Sequence, residues 1–575
     1  MGFLRTKNAT DYLVAGRRVH PFVMAMSYGA TFISTSAIVG FGGVAGLFGM
    51  SVLWLTVCNI FVGIFIAFVF FAPRARRMGH HLDAHTFPEF LARRFDSRFI
   101  QIFAGAIIFL FIPLYAAAVL IGGSVFVASV FGMPYSTALL IFSVIIAAYV
   151  VVGGLKGVMY SDALQGSIMF VGMFALLVSC YWLLGGVTEA HQKLTDLAPL
   201  VPDSLRAIGH QGWTAMPKFG WGSSEYNLWW TVISTITLGV GIGVLAQPQL
   251  VVRFMTVRSR RELNRATLIG GVFILVMTGV AFTVGALTNA YFAEKGPEMT
   301  GRVTKVIDAD KGLAVLQIMK QNDAGLWQDV EGKSAPVKLS DPGFAQAVVN
   351  DEPVDVQKGR SIAVVYAGGS ADEIIPSFIT HAMPKWFGLL FLLTLLSAAM
   401  STLSSQFHTV GTSIGRDVYE QVTGQHGKST AINRIGIIVG IIYAVVISFY
   451  MRESTFIARA TAIFFGLCAA AFLPAFLGGL YWRRMTRAGA IWSMVVGFAV
   501  TAFWVTFIKA QEAATIGLCE KLFGKASLLQ DVPNWPVVEP IVVALPISMV
   551  TAIVVSLFTQ PPSQEQLERC FKGVQ

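Results

Sequence analysis

The sequence predicts an all-α polytopic membrane protein with about 12 transmembrane helices. Hydrophobic residues make up 55% of the chain and charged residues only 13%, whereas roughly 25% of a soluble domain is charged. No charge lies between Arg18 and Arg74 or between Arg98 and Lys156, and each of these gaps has room for two spans of about 20 residues. Single charge-free stretches follow at 163–188, 226–252, 266–293, 386–415, 435–451, 460–482, 488–508 and 541–564.

The basic residues predict how these spans are oriented. Lys and Arg in short loops are retained in the cytoplasm, and 24 of the 42 basic residues fall in the inner segments if the N-terminus is inside. Both termini are therefore expected in the cytoplasm, with the chain in a plasma membrane such as the bacterial inner membrane. The net charge of +10 then reflects topology and not nucleic-acid binding.

Two other features of the sequence bear on processing and redox chemistry. Residues 1–19 contain no apolar stretch, so we expect no cleavable signal peptide. The five cysteines have no paired spacing, which indicates neither a disulfide framework nor a zinc site.

The spans divide the chain into two five-span units that enter the membrane from opposite sides, which is an inverted repeat in topology. The insert at 294–385, within the second unit, is polar and contains no predicted span. A small outer lid and an ordered loop both fit it, and we favour the loop. The predicted segments are a cytoplasmic N-terminus (1–19), spans one to five (20–186), an outer loop (187–226), spans six to ten (227–482), spans eleven and twelve (483–564) and a cytoplasmic tail (565–575).

Each five-span unit opens with a helix rich in residues that break helices. Interrupted helices at matching positions of two repeats indicate a binding site near the bilayer midplane. For either helix alone, glycine that lets helices pack closely is the simpler interpretation, but the pair together favours interruption. The residues concerned are Gly29, Gly40, Gly42 and Gly43 in the first span, and Gly239, Gly241, Gly243 and Pro248 in the sixth.

The eighth predicted span has an unusual concentration of hydroxyl groups. Ala398, Ser401, Thr402 and Ser405 are spaced i, i+3, i+4 and i+7, which places them on one helix face. The hydroxyls of Ser401 and Thr402 and the carbonyl of Ala398 could bind a hard monovalent cation, although such hydroxyls also often bond back to their own helix.

The first predicted span could supply the remaining oxygen ligands. If the helix unwinds beside Gly29, the carbonyls of Ala30 and Ile33 lose their intrahelical donors. Free carbonyls at membrane depth are tolerated where they line a cavity or coordinate an ion. With the three groups of the eighth span, five oxygens would then surround one cation.

Five motifs in order along the chain carry a resemblance to a known family. They are TFPEFLARRF at 86–95, GGLKGVMYSDALQ at 153–165, QPQLVVRFM at 247–255, AMSTLSSQ at 399–406 and YWRRMTRAGA at 481–490. With these motifs the chain resembles the sodium/solute symporter family, nearest in several stretches to its sodium/proline branch. The resemblance implies a LeuT-like fold with an inverted repeat and the sodium-coupled import of a small organic solute. It also maps the central sodium site onto Ala30, Ile33, Ala398, Ser401 and Thr402.

The resemblance also implies a second sodium site. Asp162 opens the fifth span, where an acid could be a simple interfacial residue. In some members of the family the matching acid joins hydroxyls of the eighth span around a second sodium ion. On this chain that set is Asp162, Ser401, Ser404 and Ser405, and a carboxylate would offset the cost of dehydrating a second cation.

The solute is expected between spans one, three, six and ten. Ala37 and Leu53 replace polar and acidic residues of sugar carriers, which argues against a sugar. Val240 and Val244 replace aromatics of the proline branch, which argues against proline itself. A carboxylate or amino-acid-like solute fits best, since half-helix N-termini favour a carboxylate. The predicted pocket residues are Thr31, Phe32, Ser34, Tyr115, Val240, Val244 and Gln247.

Other functions are weighed against this prediction. His81 and His85 lie four residues apart in GHHLDAH (79–85), a spacing that could bind a metal on a helix, but an exposed basic loop is the better interpretation. No nucleophile elbow, HExxH or phosphate loop is found, so an enzyme is not expected. The alternatives that stay open are a proton-coupled carrier on the same scaffold and a transporter-like ligand sensor.

Overall fold

The computed structural model describes residues 13–321, 327–340, 345–349, 352–425, 429–451 and 456–572. Within these residues ten helices are long and apolar enough to cross a membrane. They correspond in order to predicted spans two, three and five to twelve. Their bounds are Met50–His81, Arg98–Phe131, Leu155–Leu184, Ser224–Ala246, Arg260–Lys295, Lys385–Thr423, Ala431–Tyr450, Phe456–Tyr481, Arg487–Phe507 and Ile541–Phe558.

The two remaining predicted spans have special geometries. The first is a bent pair of helices, Pro21–Phe32 and Ser36–Phe48, whose axes differ by 53°. The fourth corresponds to the shorter apolar segment Tyr135–Ala148, which continues into the fifth span as one helix, Tyr135–Leu184.

The first span breaks at Ile33 and Ser34, later than the Gly29–Ala30 position that the sequence suggested. Phe32 is the last residue of the inner half, and Ile33 has φ −87° and ψ 103°. The inner half begins at Pro21, with the side chain of His20 accepting a hydrogen bond from the Phe22 amide. The two halves together span the membrane around this break.

The sixth span also breaks, but at Gln247 and not within its glycine run. Gln247 is extended, with φ −70° and ψ 121°, and the helix Pro248–Phe254 begins directly after it. Pro248 fits this first helical position because it has no amide proton to leave unpaired. Gly241 and Gly243 lie in helical backbone and serve close packing instead, since a Cβ on Gly243 would lie 2.3 Å from the Phe465 carbonyl oxygen.

The outer insert forms a small β-barrel, so the expectation of a loop is wrong. Strand β1 pairs antiparallel with both β2 and β5, and β3 joins β2 to β5, which closes a four-stranded barrel. Strand β4 adds to β5 alone, and Leu316, Ala335 and Val337 form a buried core inside. The strands are β1 (Met299–Asp308), β2 (Leu313–Gln321), β3 (Trp327–Leu339), β4 (Ala345–Val349) and β5 (Glu352–Ser361).

Shorter helices cover both ends of the membrane bundle. On the predicted inner side, Arg94 of one such helix is buried and donates through Nε to the Gly479 carbonyl at 2.9 Å. Gln566 of the tail helix donates to the carbonyls of Arg93 and Arg94. The helices on the predicted inner side are Phe87–Phe95 and Gln564–Phe571, and those on the predicted outer side are Val187–Asp196, Asp203–Arg206, Ala363–Tyr366, Ile374–Ala382, Ala510–Ile516 and Leu518–Phe523.

The break of the first span lies at the centre of the helix bundle. Its inner half packs against the helix Tyr135–Leu184 and its outer half against span seven, while span eight contacts the same long helix and span three. The broken segment therefore faces the hydroxyl-rich part of span eight inside a protein environment, where exposed backbone groups are tolerated.

Candidate functional site

Hydroxyls of span eight meet the carbonyls of the broken first span. Ser401 Oγ donates to the Ala30 carbonyl at 2.8 Å, and Thr402 Oγ1 donates to the same oxygen at 3.3 Å and to the Thr31 carbonyl at 3.1 Å. All four residues are buried. The two helices thus share a set of oxygens at the point where the first helix ends.

The Ala398 carbonyl of the predicted central site belongs to the same set, and Ile33 directly follows the last helical residue of the first half of span one. Ser401 Oγ also donates to the Ala398 carbonyl at 3.1 Å. While each hydroxyl donates its proton in a hydrogen bond to a carbonyl, the lone pairs of its oxygen are free to face a cation. Every contributing oxygen belongs to a neutral group, so a bound monovalent cation would leave the site with a charge of +1.

Beside this oxygen set lies a buried ion pair between Asp162 and Arg253. Arg253 Nη2 is 3.1 Å from Asp162 Oδ2, and both side chains are at most 1% exposed. Ser27 Oγ donates to the same carboxylate oxygen at 2.8 Å, and Ser404 Oγ lies 3.5 Å from the other. The carboxylate is therefore satisfied by one cation and by hydroxyls of spans one and eight.

Arg253 also binds other hydroxyls of the predicted second sodium site and the first span. Its Nη2 donates to Thr31 Oγ1 and to Ser405 Oγ, both at 2.6 Å, and its Nε donates to Ser27 Oγ at 3.0 Å. Its Nη1 donates to the Gln249 carbonyl. The structure thus brings Asp162 and Ser405 onto one guanidinium group, and Ser404 lies next to the other oxygen of Asp162.

Sequence reasoning missed the role of Arg253. The residue lies in the motif QPQLVVRFM and directly follows the charge-free stretch 226–252, so in the sequence it marks only the end of that stretch. A charged residue at membrane depth is a candidate functional group by default, and its partner should be sought among acids of neighbouring spans. Asp162 in the fifth span is that acid.

Three of the predicted solute-pocket residues meet at an aromatic wall. Tyr115 Oη donates to Ser34 Oγ at 3.3 Å, and its ring stacks on Phe464 at 5.6 Å between centroids. Phe465 contacts Tyr115 edge-on at 5.3 Å and Phe32 at 6.3 Å. Phe464 and Phe465, which come from span ten, were not predicted, because a pair of Phe residues within an apolar span carries little signal in one sequence.

The other predicted pocket residues have different surroundings. Thr31 belongs to the Arg253 cluster through its side chain. Val244 lies near Gly63 of the second span, and Val240 is buried. Gln247, at the break of the sixth span, accepts from Gln249 Nε2 at 2.9 Å, while its own Nε2 has no partner among the described residues.

The histidine-rich segment 79–85 is only partly the exposed loop that the sequence predicts: Gly79, His80 and His81 end the second span, and Leu82 and Ala84 are buried. Its polar side chains are held by separate contacts. His80 Nε2 lies 3.0 Å from the Met255 carbonyl, and Asp83 pairs with Arg17 at 3.0 Å. No group of three or more His, Cys, Asp or Glu side chains that could hold a metal ion is found in the described part of the chain. The loop therefore connects the segment before span one to spans two and six.

Next to that loop, Glu89 anchors the inner end of span eight. It pairs with Arg416 at 2.9 Å and with Arg93 at 2.6 Å. Burial acts to raise the pKa of Glu89, but a hydrogen bond with His85 and the two arginines outweigh it and hold the pKa well below its usual range. Glu89 is thus ionised at neutral pH and ties the first inner loop to span eight.

A broken helix whose freed carbonyls meet hydroxyls of an opposing helix deep in a membrane bundle is the arrangement of a secondary active transporter. The profile of the Sodium:solute symporter family matches residues 12–325 and 342–497. The chain belongs to this family. It is therefore a sodium-coupled symporter that imports a small organic solute, and not an enzyme.

Individual relatives agree with this assignment. The chain is 25% identical over 569 residues to the "High-affinity proline transporter PutP" of Bacillus subtilis (strain 168), covering 98% of this chain and 95% of the relative. It is 25% identical over 520 residues to the "Sodium/proline symporter" of Staphylococcus aureus, covering 88% and 82%. A solved substrate-bound, outward-open Na+-coupled sialic acid symporter superposes with a TM-score of 0.66 at 16% identity, covering 98% of this chain and 95% of that one, which shows the shared LeuT-like fold.

Proposed function

We propose that this symporter binds its coupling sodium ion between the first and eighth spans and imports a carboxylate or amino-acid-like solute. The ligands would be the carbonyls of Ala30, Ile33 and Ala398 and the hydroxyls of Ser401 and Thr402. The observation that carries the proposal is the direct contact of both hydroxyls with the Ala30 carbonyl, at 2.8 and 3.3 Å. These two contacts support the proposal because they bring both hydroxyl oxygens next to one carbonyl that would be a ligand of the same ion.

The chemistry of this oxygen set suits sodium. A hard cation prefers oxygen ligands, and carbonyls freed at a helix break are a common source of them in transporters. Sodium would stabilise the broken first span against span eight and so complete the solute pocket beside it. Coupling requires that each ligand strengthen the binding of the other by the same factor, and the membrane potential adds about 2.3 kcal/mol per charge per 100 mV.

A second sodium ion would compete with Arg253. The predicted second site consists of Asp162, Ser401, Ser404 and Ser405, and the guanidinium of Arg253 contacts two of these residues directly. We propose that this site takes sodium only when Arg253 moves away. With Arg253 in place, the core of the bundle would hold one transported sodium ion and the fixed guanidinium of Arg253.

The solute is proposed to lie against Phe32, Ser34 and Tyr115, with Phe464 and Phe465 behind them. This wall offers apolar area and two hydroxyls but no charge. A carboxylate on the solute would then be balanced by the sodium ion and the helix ends. The curated relatives are described as proline transporters, so small amino acids are the first solutes to test.

The location is proposed to be the plasma membrane of a bacterium, with both termini in the cytoplasm. The distribution of basic residues supports this orientation. This orientation defines the outer side of the protein.

The test is uptake into proteoliposomes that hold the purified protein. A panel of labelled amino acids, including proline, and small monocarboxylates is presented with an inward gradient of sodium, and in parallel with choline or with a proton gradient. We expect uptake of at least one solute with sodium, loss of that uptake in Ser401→Ala and Thr402→Ala, and retention in Thr394→Ala. Thr394 is a matched control because it is a buried hydroxyl of the same span that bonds back to Leu390.

Two outcomes would favour the alternatives. Uptake that follows the proton gradient and ignores sodium would indicate a proton-coupled carrier. Solute binding without flux under any gradient would indicate a ligand sensor.

A further inference from the structure

The segment between the barrel and the eighth span packs closely onto the first span. We call residues 363–382 the lid: two short helices, Ala363–Tyr366 and Ile374–Ala382, and the turn Ala371–Glu373 that precedes the second. The outer half of the first span approaches this turn through glycine, since a Cβ on Gly43 would lie only 1.9 Å from the Ala371 carbonyl oxygen. The lid therefore covers the outer half of the first span at backbone contact.

Asp372 links the lid turn to the tenth span. The side chain is buried, and its Oδ2 accepts a hydrogen bond from the Ile457 amide at 3.4 Å. Ile457 lies in the first turn of the helix Phe456–Tyr481, where amide groups have no helical acceptor. The other carboxyl oxygen, Oδ1, is buried without a partner among the described residues.

Among the described residues, two charged groups act on Asp372. Glu373 faces it from the lid itself and Arg459 from the tenth span. The outer half of the first span, Ser36–Phe48, contains no titratable residue. A buried carboxylate oxygen without a partner is costly, and protonation or exposure to water would each relieve that cost.

We propose that Asp372 is a proton-linked latch of the outer lid. When the lid closes onto the first and tenth spans, the carboxyl group leaves water and takes up a proton from the outer solution. When the lid opens, the group is hydrated and releases the proton. The idea rests on the proposed function only in that the lid would control outer access to the site.

The direction of the pH effect follows from the environment of the group. Burial raises the pKa of Asp372 to about 7, the Ile457 amide lowers it, Glu373 raises it and Arg459 lowers it. In the open lid the group would titrate near its ordinary value of 3.8. Protonation of Asp372 therefore stabilises the closed lid below pH 7, and this stabilisation is lost as the pH rises. The equilibrium constant for lid closure should fall about tenfold between pH 6 and pH 8.

Hydrogen–deuterium exchange of the purified full-length protein in lipid nanodiscs tests the latch without any solute. Protection factors of peptides from the lid are measured at pH 6 and pH 8, after correction for the intrinsic exchange rate. We expect protection of the lid to fall about tenfold between the two pH values. In Asp372→Asn the amide mimics the neutral acid, and protection should be the same at both.

Two further variants keep the test decisive. Glu373→Gln, the neighbouring acid, should retain the pH step. Gly43→Ala should lower lid protection at both pH values, because the added methyl group cannot fit beside Ala371. A pH-independent wild-type lid, a pH step that persists in Asp372→Asn, or full lid protection in Gly43→Ala would overturn the proposal. Because exchange needs neither sodium nor flux, failure here is separate from failure of the transport proposal.

Discussion

The buried pair of Asp162 and Arg253 makes a strong prediction about stability. Asp162→Asn would leave the guanidinium buried without its counter-charge, a change that typically costs about 3–5 kcal/mol. We expect the lower end, about 3 kcal/mol, because the hydroxyls of Ser27, Thr31 and Ser405 still accept its hydrogen bonds. Arg253→Met should cost a similar amount, since it leaves the carboxylate unpaired.

The double variant should be no less stable than either single variant. Removing both charges leaves hydroxyls that can bond one another, as Thr31 and Ser405 already do at 3.0 Å. Equilibrium unfolding in detergent gives the free energy of unfolding of the wild type, the two single variants and the double variant. The buffer contains potassium and no sodium, so that sodium binding does not contribute. Glu189→Gln serves as a control, because Glu189 pairs with Lys193 near the surface and its loss should cost less than about 1 kcal/mol. Additive single effects in the double variant would refute the buried pair.

The same variants report on the second sodium site. If Arg253 takes the place of a second ion, Arg253→Met should gain stabilisation by sodium that the wild type lacks. The free energy of unfolding should rise by about 2.7 kcal/mol when the sodium concentration is one hundred times the dissociation constant of this site. Adding Asp162→Asn to Arg253→Met should abolish the gain. Equal sodium stabilisation of the wild type and Arg253→Met would contradict this account.

Three further predictions concern packing and modularity. Gly243→Ala should destabilise the protein by about 1–3 kcal/mol, because its Cβ would lie 2.3 Å from the Phe465 carbonyl oxygen; wild-type unfolding would show that spans six and ten are farther apart. Tyr115→Phe should cost about 0.5–1.5 kcal/mol of stability, since it loses only the hydrogen bond to Ser34; a much larger loss on thermal unfolding would mean that the hydroxyl has another role. Replacing residues 300–358 by two glycines should leave folding and the sodium response intact, because Met299 and Gly359 are paired neighbours at the base of the barrel; aggregation in size-exclusion chromatography would show that the barrel is needed for folding.

The membrane spans were predictable because hydrophobic length alone sets them. Charge-free stretches of about 20 residues have few other stable solutions than a helix in lipid. The first and sixth spans were also correctly identified as interrupted. In the sixth span the break lies at Gln247, directly before the predicted breaker Pro248. In the first span it lies at Ile33 and not beside Gly29, because glycine content reports where a helix can bend and tertiary contacts decide where it does.

The barrel and the ion pair of Arg253 were missed for different reasons. The strands of the insert are partly polar, and their burial alternates only locally, so they are hard to distinguish from a loop. Arg253 ends a hydrophobic stretch in sequence but folds back beside Asp162 in space. Only the packing of the helix Pro248–Phe254 against spans one and eight brings the two charges together.

Direct binding of radioactive sodium to the purified protein tests the central claim. Measured at constant ionic strength in a scintillation proximity assay, binding should saturate, resist competition by potassium and weaken at least about tenfold in Thr402→Ala, because one hydroxyl ligand to a charge is lost. Thr394→Ala should bind as the wild type does. Sodium binding that potassium displaces equally well, or that is unchanged in Ser401→Ala and Thr402→Ala, would contradict an ion held between the first and eighth spans.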